Sequence, residues 1–267
     1  MEFKNYNTLS PATKNQINKV TDLWLKIIGE AVVGIYIHGS LALNCFVEEV
    51  SDIDILIICD RRISQEERLL ISKNIIEIDC NPSPLEMSAI WIDNVNPWSH
   101  PAPCQFHYSD FWTEHYKNLL NGSLKESFLI SEDFCDPDIT SYVHLINQCG
   151  ICIYGKPAKE VFPVISEADF WSSISSNINE YDFEAHNPRY FASNILILGR
   201  ILSYKIEKRI LSKYEGGLWT RNYVPEKYRY IIENAIKEWY SLEKGLEYNR
   251  EDIEELRQFL INEIQNC

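Results

Sequence analysis

No stretch of the 267-residue chain approaches the ~20 consecutive apolar residues that a membrane-spanning helix needs. The opening residues, MEFKNYNTLS, lack a basic end followed by an apolar run. Both absences lead us to expect a cytoplasmic protein. Basic clusters are missing too: 25 Lys and Arg stand against 39 Asp and Glu, giving a formal charge of −14. Nucleic-acid binders present a basic face to phosphates, so no nucleic-acid partner is expected. An acidic chain instead attracts cations, polyamine-like small molecules among them, although acidity also serves solubility. Cys149-Gly-Ile-Cys152 has no second CxxC pair downstream, and His100, His107, His115 and His144 show no HxxxH spacing, which argues against zinc. Of eight cysteines, Cys45, Cys59, Cys135 and Cys149 sit in apolar runs, so buried thiols are expected rather than a disulfide framework. Internal repeats and low-complexity segments are absent.

What is present reads as a globular protein, 45% hydrophobic and 24% charged, with length for one large or two smaller domains. Residues 12–28 place Ile17, Val20, Leu23, Trp24, Ile27 and Ile28 at helical spacing. Val32–Ile37, closed by His38-Gly39-Ser40, reads as a buried strand ending in a tight turn. A short helix over 41–47, a strand over 52–59, a helix over 64–74 and a strand over 85–92 follow. After the loop 96–103 the pattern becomes helical, over 139–152, 167–180, 190–212, 225–243 and 250–265, with Asp136 and Asp138 as caps for the first. An α+β chain is expected, with a catalytic α/β domain followed by a helical bundle.

Residues two apart in a strand share a face, so Asp52 and Asp54 project together while Ile53, Ile55 and Ile57 face the other way. Neighbouring carboxylates repel unless a positive charge lies between them, and magnesium is the natural candidate. Gly39-Ser40 offers close backbone approach and a hydroxyl to substrate phosphates. Glu86, flanked by Leu85 and Met87, needs a metal, a basic neighbour or a raised pKa to sit in an apolar strand. If that strand pairs beside 52–59, three carboxylates converge, with Glu86 placed to take a proton from an attacking hydroxyl.

These residues resemble a known superfamily. IYIHGSLALNCFVEEVSDIDILI is similar to the signature of the DNA polymerase β-like nucleotidyltransferases. Within it, the chain resembles the streptomycin/spectinomycin adenylyltransferases. LEMSAIWIDNVNPWSHPA is similar to the stretch holding their third carboxylate and a Pro-Trp-x-x-Pro-Ala element. DPDI, IYGKPAKEVF, GRILSYKIEKRILSKYEGGLW and YVPEKY resemble their linker and ATP-contacting helix and loop. The resemblance implies a nucleotidyltransferase domain with a mixed sheet at 1–155, and a C-terminal α-helical domain at 156–267 that contributes to ATP and substrate binding. It implies ATP as co-substrate, two Mg²⁺ ions, and AMP transfer to a hydroxyl of a small cationic antibiotic by a monomer. Asp52 and Asp54 match the metal-binding aspartates, Glu86 the third carboxylate and catalytic base, and Ser40, beside Gly39, the phosphate-contacting serine. Arg200 and Lys213 match basic residues that reach the triphosphate. Trp239 is a candidate to stack on adenine, and Lys213 precedes Glu215-Gly216-Gly217, read as a loop. Where antibiotic choice is decided the chain departs from the family. Phe111 stands at the gapless match of a tryptophan, with Trp112 one step on, and an Asp/His pair falls near Tyr190 and Ser193. Asp182, Glu184 and His186 lie just upstream as substitutes. The same fold is also compatible with another acceptor (a lincosamide, a metabolite or a protein hydroxyl) or with an antitoxin-like binding module.

Overall fold

A computed structural model describes residues 2–125, 127, 134–179, 181, 188–240 and 245–266. It divides into two compact units, Glu2–Ser173 and Ile174–Cys267.

The first unit is built on a mixed sheet, as expected, and that sheet has five strands. Its strands are β1 (Val32–Ile37), β2 (Ile53–Cys59), β3 (Leu85–Trp91), β4 (Phe106–Ser109) and β5 (Ile151–Gly155), in the spatial order β4-β3-β2-β1-β5. β2 and β3 are parallel, and the other three pairings are antiparallel. The parallel pair needs a crossover, supplied by helix α2 (Gln65–Ile78). Ser64 starts that helix with a capping box, its hydroxyl accepting from Glu67 N while the Glu67 carboxylate accepts from Ser64 N. Helix α1 (Pro11–Ile28) is opened by Ser10 and a proline at its first position, and covers the same sheet face. Strand alternation puts Ile35, Ile37, Ile53, Ile55, Ile57, Leu85, Met87, Ala89, Phe106 and Tyr108 on this face. They share one core with Val20 and Trp24 of α1, Ile71 and Ile75 of α2, and Tyr116 of α3 (Thr113–Leu120).

Four expectations need correction in this unit. The helical reading of 139–152 runs too long: α4 (Asp138–Cys149) stops at Gly150, and Ile151 and Cys152 belong to edge strand β5. The short helix expected over 41–47 is a single turn, Gly39–Ala42. Asp136 and Asp138 do not cap α4 at its N-cap position, which Pro137 holds; Asp136 instead accepts the Asp138 backbone N–H at 2.9 Å. Of the cysteines, Cys45 and Cys59 are buried, but Cys135 and Cys152 are exposed.

After helix α5 (Glu167–Ser175), the second unit comprises α6 (Pro188–Glu207), α7 (Lys213–Tyr223), α8 (Arg229–Trp239) and α9 (Arg250–Asn266). Leu198, Leu202, Ile231, Ile232, Ala235, Leu256 and Leu260 are fully or nearly fully buried in it. The stretch read as a glycine loop is helix α7, begun by a Ser212–Glu215 capping box. Among the described residues no helix is long and apolar enough to cross a membrane.

Candidate active site

The sheet face opposite the isoleucine core carries the polar residues. Asp54 and Glu86 occupy directly paired positions on parallel strands β2 and β3. Both are half-buried, as is Asp52, one residue ahead of β2. At the end of β1, His38 N donates to Asp54 O at 3.0 Å, and the chain then turns at Gly39 with φ +59°. A Cβ at Gly39 would collide with the Asp54 carboxyl, so only glycine lets the turn lie against that carboxylate. The next residue, Ser40, has a buried Oγ with no hydrogen-bond partner among the described residues. Unpaired buried hydroxyls are costly, and one aimed at a substrate oxygen is relieved when the substrate binds.

Glu86 is held from α4: the Tyr142 hydroxyl donates to its Oε1 at 2.6 Å. Burial, with the Glu86 charge adding to it, keeps the Tyr142 phenol well above its ordinary pKa, so it stays protonated and donates. The Tyr142 ring stacks on His38, centroids 4.4 Å apart and planes 23° from parallel. His38 is only 3% exposed, and burial pushes its pKa down to about 3. Two residues along β3, Ser88 Oγ lies 3.0 Å from His107 Nδ1 on the paired strand β4. Asp136 Oδ2 is 3.7 Å from the same nitrogen. Burial lowers the His107 pKa, and burial also raises Asp136 to about 6 against the pull of the Asp138 N–H.

Among the described residues no group of three His, Cys, Asp or Glu side chains is arranged to hold a metal ion by itself. Magnesium does not require one, because one or two carboxylates plus substrate phosphates commonly hold it. The Asp54–Glu86 pair, Asp52 beside it and the unpartnered Ser40 hydroxyl are oxygen donors of the kind it prefers, and they fit that role.

In the second unit, Arg200 Nε donates to Leu211 O at 2.7 Å, and the stem of Arg200 passes where Gly216 has no side chain. Lys213 Nζ sits 3.5 Å from the centroid of Trp239. Trp239 is 7% exposed, so the ring face proposed for adenine carries a lysine ammonium here. Phe111 is 61% exposed and meets Trp112 edge-on at 5.0 Å. Tyr190 is exposed and Ser193 buried, while Asp182, Glu184 and His186 fall outside the described residues. Tyr142, His107 and Asp136 are site neighbours that residue spacing did not single out. The one available signal was Ser88, polar on the same strand face as Glu86.

Comparison with known proteins adds independent findings. A family model described as a nucleotidyltransferase domain matches residues 14–81. Another, described as the C-terminal domain of aminoglycoside adenylyltransferase, matches residues 160–263. A spectinomycin 9-adenylyltransferase of Campylobacter jejuni is 25% identical, over 90% of this chain and 95% of its own length. An aminoglycoside (3'') (9) adenylyltransferase of Klebsiella pneumoniae is 19% identical, over 93% and 94%. The crystal structure of a spectinomycin adenyltransferase from Enterococcus faecialis, with ATP and spectinomycin, superposes with a TM-score of 0.81 at 21% identity. It covers 94% of this chain and 99% of that one, and this likeness shows the fold.

Proposed function

We propose that this chain, a member of the aminoglycoside adenylyltransferase family by its two matched domains, transfers AMP from ATP to a hydroxyl of a spectinomycin- or streptomycin-type antibiotic. The observation that carries the reading is the buried, unpartnered Ser40 hydroxyl in a glycine turn pressed against Asp54, which is itself paired with Glu86. Relatives named as spectinomycin 9-adenylyltransferases support the acceptor class. A charge of −14 suits a cationic acceptor.

In this reading Ser40 donates to a phosphate oxygen of ATP. Glu86 takes the proton from the acceptor hydroxyl, whose oxygen attacks the α-phosphorus; the bond to the bridging oxygen breaks, and pyrophosphate leaves. Asp52, Asp54 and Glu86 are the residues that would hold magnesium, as two ions, and bound metal supplies charge neutralisation for the triphosphate.

The test is ATP- and Mg²⁺-dependent pyrophosphate release across spectinomycin, streptomycin and other aminoglycosides, with Glu86→Ala as control. Release is expected with at least one drug and should fall by about 10²–10⁴-fold in the variant. Silence with every drug would refute the acceptor class. Release by Glu86→Ala at the wild-type rate would refute the base.

A further inference from the structure

We propose that Tyr142 is a positioning residue for Glu86, fixing one carboxylate oxygen so that the other is presented to the acceptor hydroxyl. The inference rests on the reading of Glu86 as the base. A glutamate on a strand has three rotatable torsions, and a base that must meet a hydroxyl within hydrogen-bond reach gains from having them restrained. In this site the restraint comes from a single group. Tyr142 gives Glu86 Oε1 its hydrogen bond at 2.6 Å, and the Glu86 carboxylate makes no other hydrogen bond among the described residues.

Tyr142 is itself held by two contacts at right angles in purpose: its hydroxyl by the carboxylate, its ring by the stack on His38. His38 cannot drift, because it is buried, its N–H is bonded to Asp54 O, and it immediately precedes the Gly39-Ser40 turn. One side chain from α4 therefore ties the Glu86 carboxylate on β3 to the phosphate-side turn at the end of β1. The donor is a neutral hydroxyl, so the restraint is supplied without placing a cation that would compete with the acceptor. Ser88 and His107, the other polar pair on this face, bond to each other rather than to Glu86 and leave the task to Tyr142.

Tyr142→Phe keeps the ring and the stack and removes only the hydroxyl. The expected result is a loss of about tenfold in kcat, with KM for ATP and for the drug changed less than twofold. Adding Tyr142→Phe to Glu86→Ala should change the residual rate less than twofold, because the tyrosine acts through the carboxylate. An unchanged kcat in Tyr142→Phe, or the same loss persisting in the Glu86→Ala background, would overturn the proposal. Should wild-type protein turn over none of the drugs, the functional reading fails and a separate readout decides this one. Mn²⁺ affinity in the presence of ATP, followed by electron paramagnetic resonance, should weaken about tenfold in Tyr142→Phe if the bond orients an oxygen donor. An unchanged affinity there would also overturn it.

Discussion

Replacing Gly39 by alanine probes the site through the backbone. Gly39 has φ +59°, and a Cβ there would lie inside contact with the Asp54 carboxyl and 3.0 Å from Asp54 Cβ. Two penalties follow. The left-handed backbone costs a residue with a side chain about 1–2 kcal/mol. Relieving the clash must move either the turn or Asp54, at a further cost of about 1–3 kcal/mol. A shift of about 1 Å at a reacting centre lowers rates by about 100-fold. Gly29 is a control for positive φ without the contact: its φ is +69° with ψ −139°, a conformation close to one that only glycine adopts readily, and a Cβ there meets nothing within 4 Å. Gly29→Ala should therefore show a backbone cost alone, about 1–3 kcal/mol in urea unfolding, with pyrophosphate release intact. Gly39→Ala should lose more stability than that and about 100-fold in release. If the two variants behave alike in both assays, the contact between the turn and Asp54 is not what fixes glycine at position 39.

His38 makes stability pH-dependent in a predictable sense. Its folded pKa, near 3, lies below the ordinary 6.5, so the unfolded chain takes up the proton first and stability falls as pH drops from about 6.5 toward 3. The loss reaches about 2 kcal/mol at pH 5. His38→Phe, which keeps a ring against Tyr142, should flatten that slope in urea titrations at pH 7 and pH 5, and an unaltered slope would exclude His38 as its source. Trp24 is fully buried, packs edge-on against Phe106 at 5.6 Å, and leaves its indole N–H without a partner among the described residues. Trp24→Ala should cost about 3–5 kcal/mol. Trp24→Phe should cost much less, since it also deletes the unpaired donor. Equal losses by thermal unfolding would contradict that account.

How far the fold could be read from the residues follows from what fixes each element. β2 was legible from its apolar run and the alternation at its start: Ile53, Ile55 and Ile57 join the core, Leu56 and Ile58 are buried on the other side, and Asp52 and Asp54 stay only half-buried. α1 was legible to within a residue from its apolar stripe. β4 and β5 were not. β4 has four residues, too few for a period, and β5 follows α4 with only Gly150 between them, so its apolar residues pass for another helical turn. The helix α7 was misread because two adjacent glycines cost about 2 kcal/mol in helix propensity. Tertiary packing overrides that cost, since the stem of Arg200 and the side chain of Ile236 occupy the space a Cβ would take at Gly216 and Gly217.

The candidate site divides along the same line. Asp54 and Glu86 are strand residues whose side is set by alternation, so one assumption about pairing was enough to bring them together, and the parallel register does so. Tyr142 lies 56 residues from Glu86 on a helix, and periodicity says only that it is not among the most buried positions of α4. Its partner is chosen by how α4 lies on the sheet, which no local pattern encodes. His107 fails for a related reason: its bond to Ser88 exists only once β4 pairs with β3. Chemistry carried by facing strands is thus legible from one sequence. The groups that aim it, contributed by elements docked from elsewhere in the chain, are not, and the loss expected in Tyr142→Phe measures how much of the rate resides in them.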